Sequence, residues 1–269
     1  MLDAYKHGPH GCSACHNGCA RVTRSPDQRW QLEATQGYWG SGEPHTLVLG
    51  FSMGETQASQ YRQGNFYAAG FAGDGMRSRI QRTLHALGIW DGQQTIGAAV
   101  SADGRGYGFA SLARCGFSML DNKRGVYLTS GPLVPSAPHD QWSREVMTRC
   151  ITRYLTQMPP SVRRIVLLGT TDRYVAGVRT IMRSVFSDYQ RVNEMAFSAA
   201  GRVWVFAVHP SRDDRVQEWL DSVPNATSGR KRVLAIEALV RFEGMATAAK
   251  PSLIGRKVLV KRAEAARAA

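Results

Sequence analysis

The stretch that decides the fold is Arg164-Ile165-Val166-Leu167-Leu168-Gly169. Its consecutive aliphatics end on a glycine, as expected of a short strand buried on both faces that turns at its carboxyl end. A helical pattern follows near residues 171–185. The arrangement recurs outward along the chain. HTLVLGF (residues 45–51) reads as a first buried strand, residues 107–114 as a second, and RVWVFAV (202–208) as the last. Between them, residues 141–158 read as a helix stopped by Pro159-Pro160, and Asp74 as the N-cap of a helix to residue 89 with Met76, Ile80, Leu84 and Leu87 on one face. Residues 212–223 form a final core helix. Residues 52–73, rich in Gly, Ser and Gln, read as one long loop. Strands alternating with helices predict an α/β fold with a mainly parallel sheet, its chemistry in the loops beyond the strand C-ends.

Composition narrows the function class. The chain has 269 residues, with 34 Lys+Arg against 21 Asp+Glu, a net charge of +13. Mean hydropathy is -0.29 and the isoelectric point is near 10.0. No run of about 18 uncharged apolar residues occurs, so no membrane span is expected. No secretory leader is visible in the first 30 residues, and a cytoplasmic location is expected. A basic excess of this size points to a polyanion, with nucleic acid as the default expectation and a merely solvated basic surface as the alternative; no obligatory protein partner is expected. The last 45 residues carry ten Lys/Arg and three Glu, with Val233, Leu234, Ile236, Leu239, Val240 and Phe242 at helical spacing. They read as a basic helical extension, its apolar stripe on the body and its basic face toward phosphates. The expected organisation is an arm over 1–30, a body over 31–224 and this extension over 225–269.

Five cysteines stand at 12, 15, 19, 115 and 150. An odd count without a leader argues against a disulfide framework. Cys12-Ser13-Ala14-Cys15 is a chelating pair, two thiolates spaced to face one metal centre. Spacing alone leaves the metal open, between an iron–sulfur centre and a zinc knuckle completed by His10 or His16.

The ordered set of motifs resembles the iron–sulfur branch (families four and five) of the uracil-DNA glycosylase superfamily. The resemblance rests on Cys12/Cys15, LVLGFSMGE, Gly70-Phe71-Ala72-Gly73, Cys115, Cys150, RIVLLG and His209-Pro210-Ser211, spread over residues 10–222. It implies a three-layer α/β/α sandwich and a [4Fe–4S] cluster on Cys12, Cys15, Cys115 and Cys150, with Cys19 spare and zinc as the alternative. Such a cluster would be structural, pinning the polar arm to the sheet. It also implies removal of a flipped base from DNA by hydrolysis of the N-glycosidic bond, leaving an abasic site.

That chemistry needs donors aimed at the departing base anion and a group that positions water behind the sugar. His209 is the expected leaving-group donor; Ser52 and Glu55 are the candidates for holding water. Phe51, Phe66 and Tyr67 are candidate base-contacting rings. Ser211 and Arg212 are expected on the phosphates of the DNA strand, with Arg215 either gripping phosphate or covering its helix. Where the uracil-reading Asn of the family would stand, counted back from Cys115, this chain has Ser111, and the stacking ring falls near Ala68. A missing reader and a smaller wall point to a bulkier, modified pyrimidine such as those of bacteriophage DNA, which would make the enzyme one of antiviral defence. Rival expectations are a uracil-excising repair enzyme and a non-catalytic DNA-binding protein on the same fold.

Overall fold

The computed structural model describes residues 4–16, 21–71, 73–129 and 133–248. The first half of the chain forms β1 (Gly8–Pro9), β2 (Val22–Arg24), β3 (Trp30–Glu33), β4 (Gly37–Gly40), β5 (Thr46–Gly50) and β6 (Tyr107–Ser111). There follow β7 (Gly116–Asp121), β8 (Val126–Leu128), β9 (Arg164–Leu168), β10 (Gln190–Asn193), β11 (Ala196–Ala199) and β12 (Arg202–Ala207). The fold is mixed α/β. Its main sheet has eight strands in the order β1-β4-β6-β5-β9-β12-β11-β10. The four central strands run parallel, β5 flanked by β6 and β9, with β12 beyond β9. The flanking strands are antiparallel. The aliphatic runs of β5, β9 and β12 are buried almost throughout, as their unbroken apolar sequences require.

The helices are α1 (Glu55–Arg62), α2 (Phe66–Ala69), α3 (Asp74–Ala86), α4 (Ile96–Val100), α5 (Leu133–Ser136), α6 (Gln141–Leu155), α7 (Asp172–Val185), α8 (Asp213–Asp221) and α9 (Thr227–Ala248). Among the described residues no helix is long and apolar enough to cross a membrane.

Four expectations need correction. Residues 52–73 are not one long loop: they contain α1 and α2. α1 buries only Ala58 and is held by polar ties instead, Gln57 Nε2 to the Ala69 carbonyl (2.9 Å) and Tyr61 Oη to the Gln36 carbonyl (3.0 Å). No hydrophobic stripe announces a helix of that kind. Second, the N-cap of α3 is Gly73, at φ 86°, with Asp74 the first helical residue; that left-handed conformation suits glycine alone. Third, the stretch beginning at Tyr107 ends its strand at Ser111, and a separate four-stranded sheet, β2-β3-β7-β8, follows from Gly116. Trp30, Leu32 and Phe117 form its buried side. Fourth, three basic residues at the start of α9 are tied within the chain. Arg230 pairs with Glu194 at 3.0 Å, Lys231 with Asp172 at 2.7 Å, and Arg232 donates to the carbonyls of Trp219, Leu220 and Ser222. The apolar side of α9 packs on β12 as expected, burying Ala235, Ala238 and Leu239. Cys19, Ala72 and residues 249–269 lie outside the described residues.

Candidate active-site cleft and cysteine-lined cavity

The chain passes from β5 to β6 on one side and from β9 to β12 on the other, so the sheet has its switch point between β5 and β9. Loops diverge there and leave a crevice at the strand C-ends. A cleft of about 880 Å³ occupies that place. Its wall is formed by the residues that directly follow or end the parallel strands: Phe51 and Ser52 after β5, Ser111 at the end of β6, Gly169 and Thr170 after β9, and His209 after β12.

His209 sets the electrostatics of this wall. Its Nδ1 accepts the Ser211 backbone N–H at 3.2 Å, two residues on. Burial pushes its pKa down to about 4, so the ring is neutral at neutral pH. With Nδ1 accepting, the single ring proton resides on Nε2, and the side chain presents a neutral N–H donor.

The other expected residues divide into two groups. Phe51, Ser52, Glu55, Ser111, Ser211 and Arg215 join His209 on the cleft. Phe51 is buried, its ring against Phe117 and Tyr174. Glu55 begins α1 on the rim, where its carboxylate pairs with Arg62 at 2.5 Å. Arg215 pairs with Glu218 at 3.0 Å. Phe66, Tyr67 and Arg212 are not brought to the cleft. Phe66 stacks on Trp39, with centroids 4.6 Å apart and planes 9° from parallel. Tyr67 is exposed, with the Arg77 guanidinium over its ring at 4.3 Å. Arg212 lies on the surface, paired with Asp214 at 2.5 Å.

Two cleft residues escaped the sequence reading. Phe71, buried and in the left-handed region at φ 53°, lies at the cleft floor. A Cβ built on Gly50 would touch both the Phe71 ring and Ser111 Oγ at 3.7 Å, so ring and hydroxyl converge on one spot. A non-glycine residue in that conformation is the signal, and it exists only in the backbone. Arg79, on the α3 side, donates from Nε to the Pro210 carbonyl at 2.6 Å and so ties down the His209-Pro210-Ser211 turn. It sits six residues beyond Gly73, the last glycine of the quoted motif, too far to be noticed in the sequence.

The second feature is a small cavity beside the segment that follows β6. Cys12, Cys15, Cys115 and Cys150 all line it, brought there by the turn after β1, the β6–β7 connection and α6. Each sulfur is near a donor. Gln36 Nε2 lies 2.9 Å from Cys115 Sγ, the Arg114 backbone N–H 3.2 Å from Cys150 Sγ, and Arg149 Nη1 3.6 Å from Cys15 Sγ. Tyr154 hydrogen-bonds Cys12. Burial, and then the neighbouring thiols, push the Cys115 thiol far up. Burial likewise raises the Cys150 thiol to about 12.

Burial holds the Cys115 and Cys150 thiols in their neutral form. A metal centre reverses this by deprotonating them. Among the described residues no group of three or more His, Cys, Asp or Glu side chains is arranged to hold a single ion. A lone zinc draws its sulfurs to about 2.3 Å from one point; these four ring a cavity instead. Three arginines (114, 149 and 153) and no carboxylate share the lining. Four cysteines on one cavity are a donor set that fits a metal–thiolate centre. His10, an alternative zinc ligand, is not on the cavity; His16 is, with Nε2 3.6 Å from Cys115 Sγ. No protein-family model matches this chain, and no curated protein matches it in sequence.

Proposed function

We propose that the protein is a DNA glycosylase of the uracil-DNA glycosylase type, acting on a bulky or modified pyrimidine, with an iron–sulfur centre on Cys12, Cys15, Cys115 and Cys150. The three-layer α/β/α sandwich is part of this proposal. The observation that carries it is His209: a neutral Nε2–H donor, oriented by the Ser211 amide, in a cleft at the sheet's switch point.

In base hydrolysis the N-glycosidic bond breaks with its electron pair going to the base, while water adds to C1′. A neutral imidazole donor suits this step. It stabilises the developing negative charge on the base oxygen without first having to lose a proton to it. Ser52 stands on the same wall to hold water, and Glu55 on the rim lends its charge to the cation-like sugar. Phe71 and Ser111 form the floor against which the flipped base rests, with Phe51 packed behind. The cleft volume, about 880 Å³, lies in the upper part of the about 300–1,000 Å³ typical of small-molecule sites. With Ser111 on its wall in place of a larger reading side chain, the cleft leaves room for a base that carries a substituent. The cysteine centre, when bound, supplies a cross-link between the N-terminal turn, the β6–β7 connection and α6.

A second reading is favoured by the pairing of Glu55 with Arg62. With that carboxylate engaged, the chain would bind DNA without cutting the glycosidic bond. One assay separates the two. Oligonucleotides carrying uracil, or a glycosylated hydroxymethyl-pyrimidine, are incubated with the protein and then treated with alkali. Strand breakage at the bulky base supports the glycosylase reading. Breakage at uracil alone moves the substrate to plain uracil, and binding without breakage at any base establishes the non-catalytic reading.

A further inference from the structure

Arg114 is 2% exposed, one of the most deeply buried charged groups in the fold. Among the described residues its guanidinium makes one hydrogen bond, from Nη1 to the Gly37 carbonyl, 3.0 Å away. Nε and Nη2 are buried with no partner, and the side chain forms no ion pair among the described residues. The Tyr154 and Tyr38 rings lie 4.8 Å and 5.7 Å from the guanidinium carbon. A guanidinium stays charged in proteins, and a buried charge without a counter-charge is strongly unfavourable. Two aromatic faces and one carbonyl do not supply a negative charge.

A metal–thiolate centre bound beside it would. Arg114 lines the cysteine cavity, its own backbone N–H points to Cys150 Sγ, and the next residue is Cys115. A [4Fe–4S] core carries less positive charge than its four thiolates carry negative, so the assembled centre is an anion. We propose that Arg114 is the built-in counter-charge of an anionic metal–thiolate centre, a positioning residue that holds the centre and sets how readily it accepts an electron. Arg149, exposed at the rim beside Cys15, contributes in the same sense but through solvent. The inference rests on the cysteine-centre reading given above. It also has a direction. One-electron reduction adds negative charge to the core, and a fixed cation favours that state. Removing the cation therefore moves the midpoint potential to a more negative value and loosens the centre.

The experiment uses the full chain purified without oxygen, as parent, Arg114→Met, Arg114→Lys and Arg149→Met. Iron and zinc per chain, the rate of metal release to a chelator, and the midpoint potential from a redox titration are measured for each. Arg114→Met is expected to release metal about ten times faster than the parent and to show a more negative midpoint. Arg114→Lys, which keeps the charge, is expected to recover most of both. Arg149→Met is expected to show a smaller shift of the same sign. A packing or purely structural role for Arg114 lowers thermal stability without moving the potential, so a parent-like potential and release rate in Arg114→Met overturns the proposal. Should Arg114→Met prove insoluble, Arg114→Gln is measured in its place, and a parent-like potential and release rate there overturns the proposal. If the bound metal is zinc, the release rates decide. A parent free of both iron and zinc overturns the cysteine-centre reading itself, an outcome distinct from a loaded parent whose variants are unchanged.

Discussion

Replacing His209 with Asn tests the electrostatic core of the cleft, because the imidazole is held neutral by burial. Its pKa falls from the ordinary value of 6.5 to about 4 in the folded protein. In the unfolded chain the ring takes up a proton near pH 6.5, whereas the native ring does so only near pH 4. Between these values the unfolded state binds more protons, so stability is fully present above pH 6.5 and declines as pH falls toward 4. From pH 8 to pH 5 the full shift corresponds to about 2 kcal/mol. The ring borders a solvent-filled cleft, and partial screening reduces this to roughly 1–2 kcal/mol. His7, His16 and His45 are also pushed down by burial, so acid weakens the parent through several groups at once. The difference between parent and His209→Asn isolates the one. Urea unfolding at pH 5, 6, 7 and 8 should show the parent losing the additional stability that the variant does not. Parallel stability curves for the two proteins would refute a neutral, desolvated His209, and with it the donor tautomer assigned here.

Three further outcomes follow from the same geometry. Ser111→Asn should narrow the floor beside Phe71 and add an amide donor and acceptor, shifting base release toward plain uracil by ten-fold or more in competition assays with mixed oligonucleotides. Gly169→Ala places a Cβ 2.5 Å from the Tyr174 ring at a φ of 146°, and should cost about 1–3 kcal/mol in chemical denaturation. Phe66→Ala should lower stability by about 3 kcal/mol, because it removes a ring stacked on Trp39, while leaving the affinity for substrate DNA unchanged in a fluorescence anisotropy titration; Phe71→Ala should instead weaken that affinity several-fold.

Which parts of this protein were legible in advance follows from where the information resides. The parallel strands β5, β9 and β12 announce themselves because burial on both faces demands unbroken aliphatic runs. The position of the cleft follows from their order, and His209 was singled out by the resemblance of His209-Pro210-Ser211 to a family motif. The two-residue spacing within Cys12–Cys15 is a local fact, readable without coordinates. By contrast, β2, β3, β7 and β8 are short and pair with partners far away, so their alternation becomes meaningful only when Trp30 and Phe117 meet. α1 lacks an apolar stripe, since it is secured by Gln57, Tyr61 and Arg62.

Sequence alone therefore determined the α/β class, the strand-end location of the cleft and the two-residue spacing of Cys12 and Cys15, since each depends on residues adjacent in the chain or on a period of two or 3.6. Tertiary structure alone decided the rest. It gathered four thiols from three segments around one cavity, left a buried guanidinium beside them, turned Phe66 and Tyr67 away from the cleft, and set Phe71 in their place. Those outcomes depend on side-chain directions and on desolvation, which exist only once distant segments have been packed against one another.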